Sequence, residues 1–159
     1  MAEEVILPWP EWPPWPTWKA WLRGALAGLR PGRRGRRESD ASWLALRGEE
    51  LARRELEKRG YRIVASRERS RLGEIDIVAR DGSALVFIEV KTRRGGRFGK
   101  PVEAVDRRKQ RRLVRLALAY TARRGLSDTP IRFDIVGVEL PPEGRPSVHV
   151  YRNAFGEDG

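Results

Sequence analysis

Residues 73–93, GEIDIVARDGSALVFIEVKTR, read as a β-hairpin that carries charge where a buried hairpin should carry none. The pattern predicts a strand over residues 74–79, a turn signalled by Asp81-Gly82, and a second strand over residues 85–92. Side chains alternate along a strand, so Ile75 and Ile77 are expected on one face and Asp76 on the other. In the second strand Val86, Ile88 and Val90 share a face, opposite Leu85, Phe87, Glu89 and Lys91. A strand this apolar is expected to be covered on both faces. Burying Asp76, Glu89 and Lys91 there would cost several kcal/mol per unpaired charge. A chain that keeps all of them on neighbouring strands has a use for them.

Two carboxylates and an ammonium on adjacent strands suit a hard divalent cation facing a phosphate. Magnesium prefers oxygen ligands and takes only one or two carboxylates, leaving its other positions to water and phosphate oxygens. Asp76 and Glu89 are the expected ligands for Mg2+ or Mn2+. Lys91 shares a face with Glu89. It could position or help deprotonate an attacking water, or equally neutralise charge developing at phosphorus.

Asp76, with Glu89 thirteen positions later and Lys91 two beyond it, resembles the signature of the PD-(D/E)xK nuclease superfamily. That group includes many restriction enzymes and the archaeal Holliday-junction resolvases. Gly48-Glu49-Glu50-Leu51-Ala52, Gly60-Tyr61-Arg62-Ile63, Gly73-Glu74-Ile75-Asp76 and Phe87-Ile88-Glu89-Val90-Lys91-Thr92-Arg93 are, in this order, similar to blocks of the YraN-like family. Phe98-Gly99-Lys100-Pro101, Ala104-Val105, Lys109-Gln110, Arg132-Phe133-Asp134 and Asn153-Ala154-Phe155 continue the resemblance, which spans residues 44–155. It implies a restriction-endonuclease-like core and a metal-dependent endonuclease acting on DNA, at branched or distorted structures. A two-fold junction as substrate would in turn favour a homodimer. The resemblance also puts Glu49, after Gly48, in a supporting catalytic position and leaves Glu50 as a solvated charge. Gln110 is similar in placement to a helical Gln of some related nucleases, although a surface polar residue explains it as well. The chain departs from the pattern at Arg67, where an Asn is expected.

Lys and Arg number 33 against 22 Asp and Glu, a net charge of +11, and most of the cations are arginine. This balance points to a polyanionic partner, with nucleic acid first, because arginine forks match phosphate. Arg108, Arg111, Arg112 and Arg115 recur at i, i+3, i+4 and i+7, and so gather on one helical face suited to backbone phosphates. Arg93, Arg94, Arg97 and Lys100, in and before a glycine-rich loop, are placed to do the same nearer the carboxylates. Glu74 is expected either at the edge of the site or in an ion pair with an arginine. With no cysteine, thiolate zinc sites and a cysteine nucleophile are excluded, and His149 as the single histidine argues against any other zinc site. There is no apolar run long enough to span a membrane, and the start, with Glu3 and Glu4, lacks the features of a secretory signal, so a cytoplasmic protein is expected.

Residues 1–40 differ from the rest and are expected to be a separate extension. Trp9, Trp12, Trp15, Trp18 and Trp21 recur every third residue among prolines, the repeat of a polyproline II helix. Helical spacing follows to Leu29, then a basic linker over residues 30–37. Such an arm could bind a protein, a membrane surface or single-stranded bases. Residues 41–156 form the expected nuclease-like domain, with 157–159 as a tail. Helices are predicted over 42–59 and 102–124 and further strands over 61–66, 131–140 and 148–151. The resulting order, αβββαββ, is that of an α/β (α+β) mixed sheet flanked by helices. Besides the nuclease, two other readings stand: a nucleic-acid-binding module that does not cleave, and an adaptor recruited through the tryptophan-rich arm.

Overall fold

The computed structural model describes residues 35–95 and 105–156, with side chains from residue 41. The chain divides into two units, Met1–Ser39 and Asp40–Gly159, and the architecture that follows is that of the second. Residues 1–34 of the expected extension over 1–40, Arg97, Lys100, the start of the second predicted helix and the tail lie outside the described residues. The elements are α1 (Gly35–Lys58), β1 (Arg62–Ser70), β2 (Gly73–Asp81), β3 (Ala84–Arg94), α2 (Arg107–Arg123), β4 (Ile131–Leu140) and β5 (Ser147–Phe155). The order is the expected αβββαββ.

The five strands lie side by side in chain order. β1, β2 and β3 form an antiparallel meander, β3 and β4 are parallel, and β5 returns antiparallel to β4. A parallel pair needs a long connection, and α2 lies within it. Ala52 and Leu56 of α1 pack with Ile77, Ala79, Val86, Ile88, Val136 and Val138. On α2, Leu113, Leu116, Ala117 and Tyr120 pack with Ile75, Val78, Leu85, Phe87 and Phe133. The sheet is therefore covered on both faces, one helix to each.

Several boundaries move, those of α2, β1 and β5 for a local reason. α1 begins at Gly35 rather than 42, continuing through a stretch expected to be a basic linker. α2 begins at Arg107, because the Asp106 side chain accepts the Lys109 N–H and so caps the helix there. β1 runs on to Ser70, since its charged half is paired: Arg67 and Arg69 reach Glu74 at 2.9 and 2.7 Å, and Glu68 meets Arg124 at 3.1 Å. β5 runs to Phe155, passing a register shift where Asn153 takes φ 49°, a conformation asparagine tolerates. One facing assignment is corrected. Ile75 and Ile77 do not share a face: Ile75 joins the α2-side cluster and Ile77 the α1-side cluster. The β2–β3 ladder stops at Ile77↔Ile88, and the strand turns at Asp76.

Four segments of the fold are tied together by Asp134, which is 1 % exposed. It accepts the Tyr61 hydroxyl, two N–H groups of Arg132 and the Asn153 backbone N–H, each at 2.9 Å. Arg132 also meets Asp81 at 2.9 Å, so the knot joins the α1–β1 junction, the hairpin turn, β4 and β5. Burial, and then the bond to Asp134, push the Tyr61 hydroxyl up to about 12. The Arg132-Phe133-Asp134 and Asn153 motifs thus have a structural reason. Asp134→Ala leaves Arg132 and the Tyr61 hydroxyl without their shared acceptor, and an expected loss of about 3 kcal/mol follows. Tyr61→Phe removes two hydrogen bonds, the one donated to Asp134 and the one accepted from Arg132 at 3.1 Å, and should cost about 1–2 kcal/mol. Urea unfolding checks both, and an Asp134→Ala loss smaller than that of Tyr61→Phe would refute the shared-acceptor account.

Candidate active site

Beyond Ile77↔Ile88 the β2–β3 ladder is open, while β3 remains paired with β4 as far as Arg94↔Leu140. In the opening the Asp76 carboxylate accepts the Val90 N–H at 2.8 Å, a side-chain oxygen in place of a strand carbonyl. Glu89, 5 % exposed, sits next to it on the α2 side of β3. Lys91 Nζ reaches Glu89 Oε1 at 2.9 Å, as two residues along a strand allows. A second ammonium, that of Lys109 in the first turn of α2, donates to the same oxygen. Asp76, Glu89, Lys91 and Lys109 together form a charge-neutral set.

Glu49 approaches from α1. A Cβ built at Gly48 would lie 1.7 Å from Thr92 Oγ1, so only glycine lets α1 come this close to β3. Glu49 is thereby brought to the rim of the opening, with its Oε2 3.7 Å from Arg67 Nε. Glu50 turns instead to Arg53 and Arg54 on its own helix, at 3.2 and 2.6 Å. Glu74 belongs to ion pairs with Arg67 and Arg69, and despite its partial burial those bonds hold its carboxyl below the usual range. Arg67 lies between the pairs Ser66↔Ile77 and Glu68↔Ile75, at φ 53°. Asparagine adopts that left-handed conformation more readily than other non-glycine residues. The departure from the expected Asn therefore falls at the one position of β1 where backbone conformation would favour it.

Electrostatics set the site apart. Burial, and then the neighbouring Glu89 charge, push Asp76 up to about 6, against the Val90 N–H and the two lysines. Burial raises Glu49 to about 7, with Asp76, Glu74 and Glu89 adding to it and Arg67 opposing. The carboxyls of α1, β2 and β3 therefore feel one another across the opening. Burial works against the Lys109 charge, but the bond to Glu89 and the charges of Glu89 and Asp76 prevail and raise its pKa. Among the described residues no group of three or more His, Cys, Asp or Glu side chains is arranged to hold a metal ion. Asp76 and Glu89 nevertheless form an oxygen-only pair, the number of carboxylates that Mg2+ commonly takes beside water and phosphate.

The remaining cations are distributed around this centre. Arg93 is half-buried and Arg94 exposed at the end of β3, the latter with its guanidinium 6.0 Å from the Trp43 ring. Arg97 lies outside the described residues. Arg108, Arg111, Arg112 and Arg115 are all exposed on α2. Arg112 is further engaged, donating to the Leu72 carbonyl at 3.3 Å and lying over Gly73. Gln110 donates to the Val105 carbonyl at 3.0 Å and serves the helix entry. His149 is exposed on β5, separated from Lys91 by Gly137 of β4. Lys109 is the site residue that sequence reasoning missed. Its place in the Lys109-Gln110 motif was visible, but its partner is twenty residues away and depends on how α2 crosses the sheet.

A family model described as "Uncharacterised protein family UPF0102" matches residues 48–138, a segment that contains Gly48, Glu49, Asp76, Glu89, Lys91 and Lys109. The chain belongs to the UPF0102 family. A UPF0102 protein of Symbiobacterium thermophilum is 55 % identical over 108 residues, covering 68 % of this chain and 92 % of that protein. One from Geobacter sulfurreducens is 46 % identical over 112 residues, covering 70 % and 88 % of the two chains. A third, from Nocardia farcinica, is 44 % identical over 119 residues, or 75 % and 94 %. UPF0102 stands with the restriction-endonuclease-like, PD-(D/E)xK and YraN proteins, so the expected resemblance holds at the level of family.

Asp76 binds its proton more tightly folded than unfolded, so in metal-free protein its contribution to stability falls as pH rises from about 4 to 6. Asp76→Asn keeps an acceptor for the Val90 N–H and removes the charge. In EDTA it should gain about 1–3 kcal/mol over wild type at pH 8 and little at pH 4. Denaturant unfolding at the two pH values tests this, and an equal difference at both would contradict it. Gly48→Ala should cost about 1–3 kcal/mol, as overpacking does, by forcing α1 and Thr92 apart. A variant as stable as wild type would mean that the helix moves freely there.

Proposed function

We propose that this UPF0102 protein is a metal-dependent endonuclease that hydrolyses DNA phosphodiester bonds. The observation that carries the reading is the gathering of Asp76, Glu89 and Lys91 where β2 parts from β3, with Asp76 raised to about 6. Acidic groups kept buried and poised near neutrality are commoner at reactive sites than in frameworks. Asp76 and Glu89 would hold Mg2+ or Mn2+. Bound there, the ion would polarise the scissile phosphate and lower the pKa of its own water. Lys91 faces the same space, where its ammonium can orient a water or offset charge at phosphorus. Glu49, raised to about 7, can accept a proton near physiological pH.

The exposed arginines of α2 support a nucleic-acid partner. The first turn of α2 has no acidic residue, although the helix dipole favours negative charge at that end. Arg107 and Arg108 stand there instead, an arrangement that an incoming phosphate would relieve. A preference for branched or distorted DNA follows from the resolvase resemblance, and a homodimer would match a two-fold junction. No helix among the described residues is long and apolar enough to cross a membrane.

The test is cleavage of labelled single-stranded, duplex, flap and four-way-junction DNA with Mg2+, Mn2+ or EDTA. Cutting should require metal and fall by about 10³-fold or more in Asp76→Ala. Binding without cutting on every substrate would favour the non-cleaving module, and cutting that survives Asp76→Ala would show that the site is misassigned. Arg108→Ala and Arg111→Ala should weaken binding across all sequences and each reduce the salt slope by about 1. An unchanged slope would remove α2 from the interface.

A further inference from the structure

Lys109 has no part in the nuclease reading above, yet it is bound at the centre of the site. It stands in the first turn of α2, with its backbone N–H accepted by the Asp106 side chain at 2.8 Å. Its ammonium and that of Lys91 share one oxygen of Glu89. The two lysines are held differently. Lys91 lies on the same strand as Glu89 and its side chain is 23 % exposed. Lys109 comes from a separate element, and its side chain is 37 % exposed. The N-terminal turn of a helix is the unfavourable end for a cation, and Arg107 and Arg108 precede it directly. What holds the ammonium here is the charge of Glu89 and Asp76.

Two ammonium groups on one carboxylate oxygen bring the charge of one divalent cation to the group that would bind that cation. We infer that Lys109 is a tethered counter-cation that competes with the divalent metal for Glu89, and that its ammonium passes to a substrate phosphate oxygen when the metal takes the carboxylate. This rests on the metal-dependent nuclease reading. Lys91 stays beside Glu89 on their shared strand, whereas Lys109 reaches in from a helix and is the more exposed of the two, which makes it the one to turn outward. The exposed arginines of α2 leave a phosphate as the natural anion for it to meet. Metal without a phosphate must displace Lys109 toward other cations. Metal with a phosphate gives it a new partner, so each ligand promotes the other. The site thereby discourages a metal from settling before the substrate arrives.

Mn2+ titration of the DNA-free protein, followed by calorimetry and by the electron spin resonance of the ion, tests the competition without relying on cleavage. Lys109→Met should bind Mn2+ about three- to tenfold more tightly than wild type, because a charge opposing the ion is gone. Lys109→Arg should stay near the wild-type affinity. With saturating Mn2+ and DNA, Lys109→Met should turn over at least about tenfold more slowly, and Lys109→Arg should recover part of the rate. A folded Lys109→Met with unchanged or weaker Mn2+ affinity would overturn the inference while leaving the nuclease intact. Tighter binding in a protein that cuts no DNA would uphold the competition and remove the nuclease reading. If wild type and Lys109→Met both fail to bind Mn2+, the metal assignment and the inference fall together.

Discussion

Where β2 parts from β3, a backbone N–H loses its strand partner, and Asp76 supplies the acceptor from its side chain. The rest of the site follows from that substitution. A carboxylate of β2 that must receive the Val90 N–H is fixed beside Glu89, the residue that precedes Val90 on β3. The turn of β2 at Asp76 also sends Ile75 into the α2-side cluster while Ile77 stays with α1. Apolar contacts on both faces thus anchor the strand on either side of the charge. Neither carboxylate could be kept so buried on a loosely held strand, since an unpaired buried charge costs several kcal/mol.

Two aspartates of this fold, Asp134 buried and Asp76 half-buried, show how differently such a cost can be met. Asp134 receives donors from Tyr61, Arg132 and Asn153, and it knits four segments together. Asp76 accepts a backbone N–H, and its other neighbours include a like charge. The first arrangement ties the framework together. The second leaves a carboxylate whose charge is held at a disadvantage, which a cation can relieve. Number and kind of donors, more than depth of burial, separate the structural group from the reactive one.

Much of this was legible from period and composition. The alternation of Leu85 to Lys91 placed Glu89 and Lys91 on one face, and the apolar stripe of α2 identified its buried side. The αβββαββ order followed from the same periodicities. Alternation failed at Ile75, because it assumes a ladder that continues, and nothing local announces that a strand will turn at its aspartate. Periodicity ends β1 at Ser66, because Arg67 to Arg69 lack an apolar face. The strand runs on because Glu74 and Arg124 pair with its charged half, which sequence proximity alone cannot reveal. Lys109 was hidden for a related reason, its partner Glu89 belonging to another element.

The opening in the sheet also resolves a geometric difficulty. Glu49 belongs to the helix that covers the Ile77 face, and Lys109 to the helix that covers the Ile75 face. In an unbroken sheet the backbone would stand as a wall between them, and the groups of one face could not act on those of the other. Here the ladder is interrupted at the level where both helices deliver charge, and Gly48 allows α1 to close on Thr92 beside the gap. Glu49 consequently feels the charges of Asp76 and Glu89 although it approaches from the other helix. A site assembled from both faces needs a place where the sheet is not continuous, and in this chain Asp76 both occupies that place and stabilises it.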